Sequence, residues 1–332
     1  MESLLIQDTL SSEVTILKLI RISLFLFAVF SSYQASARDT DLLNAKFQVQ
    51  GAKIDVSFAP GTSELSLNRA QLLNWIEKAA HAVADYYQGF PVSSLNITIN
   101  PRSGSRIGGQ AFSGEKPMVL ITVGKQAQLF HLEKDWVLVH EMVHLAFPSV
   151  YRKHHWIQEG LATYIEPIVR VRAGLMTEKE AWHWMLTGMP KGLPESKDKG
   201  LDNTNTWGRR YWGGALFSLL ADQRIREQSH SRYDIGDALR GIVNAGYNMQ
   251  SDDLWPLDKI LTIGDKATKT NALISLYNEH KDTPIHTGLQ KMWIRLGVRL
   301  EDGKVKFNDN SPQANLRHAL LFGSLKDKKT NN

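Results

Sequence analysis

One apolar segment, VLVHEMVHLAF (residues 137–147), contains three ionisable side chains. Its composition predicts a buried helix in which His140 and His144 lie one turn apart on the same face, with Glu141 beside them. An ionisable group in apolar surroundings is costly unless it has a partner. Zinc would satisfy all three, because two imidazoles can bind the ion while the carboxylate takes a proton from water. The H-E-x-x-H spacing therefore predicts a Zn²⁺ site, and a pair of core histidines bonded to the backbone is the alternative.

Two histidines leave a catalytic zinc one protein ligand short. Glu159 is the better candidate, because it follows His144 after 14 intervening residues and the loop between them lets the next predicted helix fold back against the first. A carboxylate favoured by the dipole at a helix N-terminus is the structural alternative. His154 and His155 are rivals in the basic loop YRKHH, where we expect them to be exposed or to line the cleft. His131 is a more remote rival.

The combination of HEMVH with WIQEGLATYIE, which contains Glu159, resembles the gluzincin peptidases, in particular the peptidase MA-like families related to glycyl aminopeptidase. This resemblance covers roughly residues 97–226 and implies that Glu159 is the third zinc ligand. The segment RRYWGGALFSLLADQRIR is similar to a helix of these families that begins at a tyrosine near the metal. It implies that Tyr211 donates its hydroxyl to the oxyanion of a tetrahedral intermediate. A core tyrosine packed with Trp212 and Phe217 is the alternative.

The same resemblance implies a substrate-binding strand upstream of the metal helix. The segment GGQAFSGEKPMVLITV stands in that position. Gly108 and Gly109 would allow close backbone approach, and an extended peptide could add alongside them and Ala111 as a further strand. A glycine-rich hairpin turn is equally consistent with the two glycines.

Strand-like and helical patterns divide the chain. Strands are predicted for FQVQGAKIDVSFAP, SLNITIN and PMVLITV. A helical segment that starts at Leu67 lies between the first two of them. From Trp156 onward the pattern is mainly helical. Near the end, VRLEDGKVKF predicts a short hairpin that turns at Asp302 and Gly303.

These patterns predict an α+β fold, a two-lobed zincin with the metal between the lobes. The first lobe, residues 38–147, is expected to hold a small mixed sheet and to end in the metal helix. The second lobe, residues 148–322, is expected to be mainly helical and to carry the third ligand. Residues 323–332 are predicted to be a disordered tail.

The N-terminal segment is typical of a secretory signal peptide. Lys18 and Arg21 precede the apolar run ISLFLFAVF, and the small-residue pattern ASA follows, which predicts cleavage before Arg38. A membrane span is less suitable, because about 20 unbroken apolar residues are needed. The chain has no cysteine, which excludes disulfides and thiolate metal ligands. An exported protein that folds without disulfides fits a bacterial periplasm.

The charge of the chain argues against nucleic acid as a partner. The formal net charge of +5 is spread along the sequence and forms no dense basic block before the KDKK tail. We therefore predict an exported zinc peptidase with a peptide or protein substrate and no stable membrane insertion after signal removal. The alternatives are a catalytically weak or inactive zinc-binding envelope module, against which the intact Glu141 argues, and a hydrolase of a non-peptide or cell-wall amide.

Overall fold

The structure is a computed structural model that describes residues 44–284 and 286–323. The predicted signal peptide lies outside the described residues, and so does the predicted tail after residue 323. Within the described ranges, no helix is both long enough and apolar enough to cross a membrane.

Five strands form a mixed sheet in the order β1-β2-β3-β5-β4. Their bounds are β1 Asn44–Val49, β2 Ala52–Phe58, β3 Ser94–Arg102, β4 Ile107–Phe112 and β5 Met118–Gly124. Strands β2, β3 and β5 are parallel, whereas β4 runs antiparallel to β5. Strand β4 therefore lies at an edge of this sheet, and among the described residues no strand of the sheet pairs with its outer side.

The first predicted strand is two strands in the structure. The apolar alternation of FQVQGAKIDVSFAP shifts by one position at Gln50 and Gly51, and both residues have positive φ, 45° and 88°. Two successive residues with positive φ are typical of a two-residue hairpin turn. The prediction of one continuous strand was therefore wrong at this turn, because it passed over the one-residue shift of the apolar alternation at which the chain reverses.

The described residues form eleven α-helices. They are α1 Arg69–Tyr87, α2 Leu129–Glu133, α3 Val137–His144, α4 His155–Arg172, α5 Glu178–Gly188, α6 Gly214–Gln228, α7 Ile235–Asn244, α8 Leu257–Thr268, α9 Ala272–His280, α10 Leu289–Leu296 and α11 Ala314–Phe322. A π-helical turn, Arg209–Gly213, precedes α6.

Local sequence signals account for several of these elements. Helix α1 begins with a capping box, in which the Asn68 side chain accepts from the Gln71 backbone and the Gln71 side chain accepts from the Asn68 backbone. The predicted hairpin is confirmed as β6 Val298–Glu301 and β7 Lys304–Phe307, with positive φ at both turn residues. The mixed α and β content is confirmed, whereas the two-lobed arrangement and its boundaries stay predictions.

Helices α4 and α6 approach each other backbone to backbone at two glycines. A Cβ atom added to Gly160 would lie 2.2 Å from the carbonyl carbon of Gly214. One added to Gly214 would lie 2.1 Å from the carbonyl oxygen of Trp156. No side chain fits between the helices here. Glu159 is next to Gly160 in sequence, and Tyr211 lies three residues before Gly214. The crossing of the two helices therefore fixes Glu159 and Tyr211 relative to each other.

Alanine in place of Gly160 is expected to destabilise the protein. The added methyl group would force α4 and α6 apart, and overpacking of this kind typically costs about 1–3 kcal/mol. This cost outweighs the small gain in helix propensity that alanine brings. Chemical denaturation followed by circular dichroism measures the change. Gly214→Ala should have a similar effect because it opens the same contact. Unchanged stability in both variants would contradict the tight crossing.

Candidate metal centre

Helix α3 is held at its N-terminus by a carboxylate. The Asp135 side chain accepts hydrogen bonds from the backbone N–H groups of Val137 at 3.1 Å and Leu138 at 3.0 Å. These N–H groups have no partner within the helix, so the carboxylate replaces the water they would otherwise need. Every residue of α3 from Val137 to Val143 is buried, including His140 and Glu141. The helix therefore presents its ionisable groups from a fixed, apolar element.

The structure brings His140, His144 and Glu159 together. Their candidate ligand atoms all lie within 4.8 Å of one another. The Nε2 atoms of the two histidines, on consecutive turns of α3, lie 3.4 Å and 3.5 Å from the same oxygen, Oε2 of Glu159. Glu159 reaches them from the second turn of α4, which folds back against α3 as the sequence predicted.

The three side chains fit a zinc ion. Zinc binds imidazole nitrogen and carboxylate oxygen at about 2.0–2.2 Å in a tetrahedral arrangement, so that two of its ligand atoms lie about 3.3–3.5 Å apart. The two nitrogen–oxygen distances at this site have that length. Two imidazoles and one carboxylate, with room for a fourth ligand, are also the donor set of a catalytic rather than a structural zinc site.

The protonation states follow from burial and from the shared carboxylate. Burial lowers the pKa of His140 to about 4, against the opposing effect of Glu159. At His144 burial also acts to lower the pKa, but the hydrogen bond and charge of Glu159 and the charge of Glu141 outweigh it, and the net shift is upward. For Glu159 the hydrogen bonds from both histidines outweigh burial and hold its pKa below the ordinary value. An ionised carboxylate beside a neutral His140 is the state that a cation requires.

Glu141 faces the same cavity without belonging to the triad. Burial raises its pKa, while the nearby His144 and a hydrogen bond from the backbone of Ala111 act in the opposite direction. A carboxylate with a raised pKa is better suited to accept and return a proton near neutral pH than an exposed one. The buried position of Glu141 beside the triad therefore suits a group that accepts a proton in this cavity.

Strand β4 passes directly over α3 at Gly109. A Cβ atom at this position would lie 2.7 Å from Cγ of Glu141 and 2.7 Å from Cγ1 of Val137. The glycine thus allows close approach between the strand and the metal helix. Gly108, Gly109 and Ala111 lie in a strand, so the alternative of a hairpin turn at the glycines was wrong. All three line the cavity in front of the triad.

The cavity has a volume of about 660 Å³, and all eight residues predicted from the sequence line it. Tyr211 is among them. Its ring stacks at 6.4 Å from the ring of His140, and the π-helical turn before α6 carries it. Burial, the charge of Glu159 and a hydrogen bond to that carboxylate raise the pKa of Tyr211 to about 12, which keeps the hydroxyl protonated as a donor. A π-helical turn inside a helix is frequent at functional sites.

The rival ligands take no part in the triad. His154 is buried, and its Nδ1 lies 2.8 Å from a carboxylate oxygen of Asp202, so the expectation that it is exposed or lines the cleft was wrong. Asp202 also accepts hydrogen bonds from the Trp156 indole and the Tyr277 hydroxyl, which fixes the start of α4. His155 is exposed and lines the cavity, as expected. His131 accepts from the backbone at the start of α2 and takes no part in the triad.

Asp135 is a supporting residue that the sequence analysis missed. Its signal was present, because an aspartate just before an apolar helical segment is typical of helix N-termini. Ala111 was named for contact with substrate, and the structure adds its contact with Glu141.

No family model matches the sequence, and no curated protein matches it significantly. Among solved structures, the fold is similar to an aminopeptidase N family protein from Idiomarina loihiensis, with a TM-score of 0.52, 10% identity, and coverage of 78% of this chain and 49% of that chain. An M1 zinc metallopeptidase from Deinococcus radiodurans aligns with a TM-score of 0.45 and 14% identity over 74% of this chain and 52% of that chain. The chain thus spans about half the length of these proteins. The similarity to the aminopeptidase N family protein, at 10% identity, shows a shared fold, as the gluzincin resemblance led us to expect.

Proposed function

We propose that this protein is an exported zinc-dependent peptidase in which His140, His144 and Glu159 hold the metal. The observation that carries the proposal is the convergence of these three ligand atoms within 4.8 Å in a cavity that Glu141 also lines. The fold shared with an aminopeptidase N family protein supports it. A pure zinc-holding module has no need for a buried carboxylate beside the ligands.

Each residue of the cavity has a distinct role in the proposed reaction. A bound zinc ion would supply Lewis-acid chemistry, polarising a carbonyl and making water more acidic. Glu141 takes the proton from the attacking water and returns it to the leaving amine. Tyr211 donates its hydroxyl to the oxygen on which negative charge develops. The outer edge of β4, which pairs with no described strand, pairs with the extended backbone of the substrate and aligns the bond to be cut.

The experiment that tests this function combines metal analysis with cleavage of a peptide library. The purified protein is expected to contain about one zinc per chain and to hydrolyse peptides, and the library should contain both free and blocked N-termini to separate exopeptidase from endopeptidase activity. Zinc without cleavage would favour a binding module instead. Cleavage of cell-wall amides but not of peptides would favour the alternative of a hydrolase of non-peptide or cell-wall amides.

Removal of the Glu159 carboxylate is expected to weaken zinc binding. Glu159→Ala leaves only two protein ligands, and the ion then has too few to compete with free chelators. Competition with a chromophoric chelator measures the affinity. His155→Ala is the matched control, because it removes a neighbouring imidazole that lines the same cavity. If His155→Ala lost zinc while Glu159→Ala kept it, His155 would be the third ligand.

We also propose export to a bacterial periplasm with removal of residues 1–37. Mass spectrometry of the protein from its native compartment should find an N-terminus at or near Arg38. An intact Met1 in a soluble cytoplasmic fraction would contradict this.

A further inference from the structure

A second, smaller cavity opens beside the metal cavity. Its volume is about 280 Å³, just below the range of roughly 300–1,000 Å³ typical of small-molecule pockets. Trp136, His140 and Tyr211 line both cavities. The smaller cavity is therefore a side chamber of the candidate active site, and its size suits one side chain rather than a length of peptide.

Four indole rings form much of its wall, and we name it the tryptophan pocket after them: Trp136, Trp184, Trp207 and Trp212. The rings form a nearly continuous series, with centroid distances of 6.0 Å from Trp136 to Trp184 and 5.1 Å from Trp184 to Trp212. Trp207 stacks on the ring of Tyr211 at 5.8 Å. Aromatic pairs at such distances attract one another, and the ring faces that line the cavity would equally attract a further ring placed against them.

Two of these tryptophans are unusually exposed. Trp207 keeps 61% of its surface accessible and Trp136 keeps 40%. Exposed indoles forgo the free energy that burial of a large apolar side chain provides. Exposed apolar surface beside a cleft is typical of a binding site. A ligand that enters the pocket would bury the faces that the protein itself leaves open.

The polar groups of the pocket disfavour a cationic occupant. The Glu166 carboxylate accepts a hydrogen bond from the Arg170 guanidinium at 2.9 Å, so its charge is already compensated. The Lys191 ammonium lies 5.9 Å from the ring centre of Trp212 and would repel a second cation.

We propose that the tryptophan pocket selects a large aromatic side chain, phenylalanine or tryptophan, at one of the two positions flanking the bond to be cut. The inference rests on the proposed function, because it assigns the pocket to a peptide substrate. The aromatic ring lies among the four indoles, and the peptide backbone continues along the cavity lined by β4.

The test uses blocked peptides that differ only in the two residues flanking the central bond, each varied among alanine, leucine, lysine, phenylalanine and tryptophan. At one position the wild-type protein should cleave the aromatic peptides with kcat/KM at least about tenfold above the alanine peptide, because a filled apolar pocket discriminates by this order. Trp184→Ala and Trp207→Ala should each reduce that ratio at least about threefold. Trp75→Ala, on helix α1 away from both cavities, is the matched control and should keep the wild-type ratio.

Binding separates the failure of this inference from the failure of the proposed function. The same peptides are titrated into zinc-loaded Glu141→Gln protein, and affinity is measured by calorimetry. If no peptide is cleaved but aromatic peptides bind preferentially, the peptidase proposal fails and the pocket assignment stands. Cleavage with equal or better rates for alanine or lysine would overturn the pocket assignment. So would an aromatic preference that survives in both pocket variants.

Discussion

Replacing Glu141 with glutamine is expected to keep about one zinc per chain and to remove nearly all peptide hydrolysis. Glutamine has the shape of glutamate and cannot accept a proton from water at neutral pH. Loss of a general base lowers kcat by roughly 10²- to 10⁴-fold, which makes this the largest effect that we predict. Initial rates on the best library peptide, together with metal analysis of the same sample, provide the measurement.

A measurement of stability shows whether the Glu141→Gln variant lost activity through loss of the base or through unfolding. Burial raises the pKa of Glu141 in the folded chain above its value in the unfolded chain. Its ionised form is therefore penalised on folding, and the penalty grows as the pH rises above the unfolded value. Glutamine carries no such penalty, so the metal-free variant should unfold at neutral pH no earlier than the metal-free wild type. Glu133→Gln, an exposed change on α2, is the control that should keep full activity. A fully active Glu141→Gln enzyme would exclude the proposed base.

Tyr211→Phe is expected to lower kcat by roughly 10²- to 10³-fold, about 3–4 kcal/mol of transition-state stabilisation, with little change in KM. The substitution removes the hydroxyl and keeps the ring that stacks on His140. Loss of the hydrogen bond to Glu159 should lower stability by only about 1 kcal/mol. Steady-state kinetics and the unfolding midpoint of one preparation measure both quantities.

Tyr164→Phe is the matched control for this prediction. Tyr164 is fully buried, and its hydroxyl donates a hydrogen bond to Asp222 at 2.9 Å. Its loss should reduce stability and leave kcat within a few-fold. If Tyr211→Phe also retained kcat within a few-fold, the tyrosine would be a packing residue, as the alternative from the sequence holds.

The parts of the site that could be predicted from the sequence depend on local geometry. His140, Glu141 and His144 share a helix, where the spacing of 3.6 residues per turn determines which side chains share a face. Glu159 lies on the next helix, and a short loop leaves few ways to arrange two consecutive helices. These four residues are therefore brought together by contacts between neighbouring segments of the chain, which a sequence pattern can predict.

The rest depends on contacts between distant segments. Asp202 accepts from His154 and Trp156, nearly fifty residues earlier, and from Tyr277, which is farther along the chain. No periodic pattern links these positions, so the burial of His154 could not be foreseen. The tryptophan pocket likewise combines side chains from α5 with others from the segments before α3 and α6. The turn at Gln50 and Gly51 was missed for a different reason, because the apolar alternation resumes after it and only its one-residue shift marks the turn.

The contact between Gly160 and Gly214 has a consequence for the descent of this sequence. A larger residue at either position would be accommodated only if the two helices moved apart, and that movement would draw Tyr211 away from Glu159. Selection for tight packing and selection for the chemistry of the site therefore act on the same two positions. Descendants that retain Glu159 and Tyr211 in the proposed roles should retain both glycines, whereas in a lineage without the proposed activity only the packing of the two helices would still select for them.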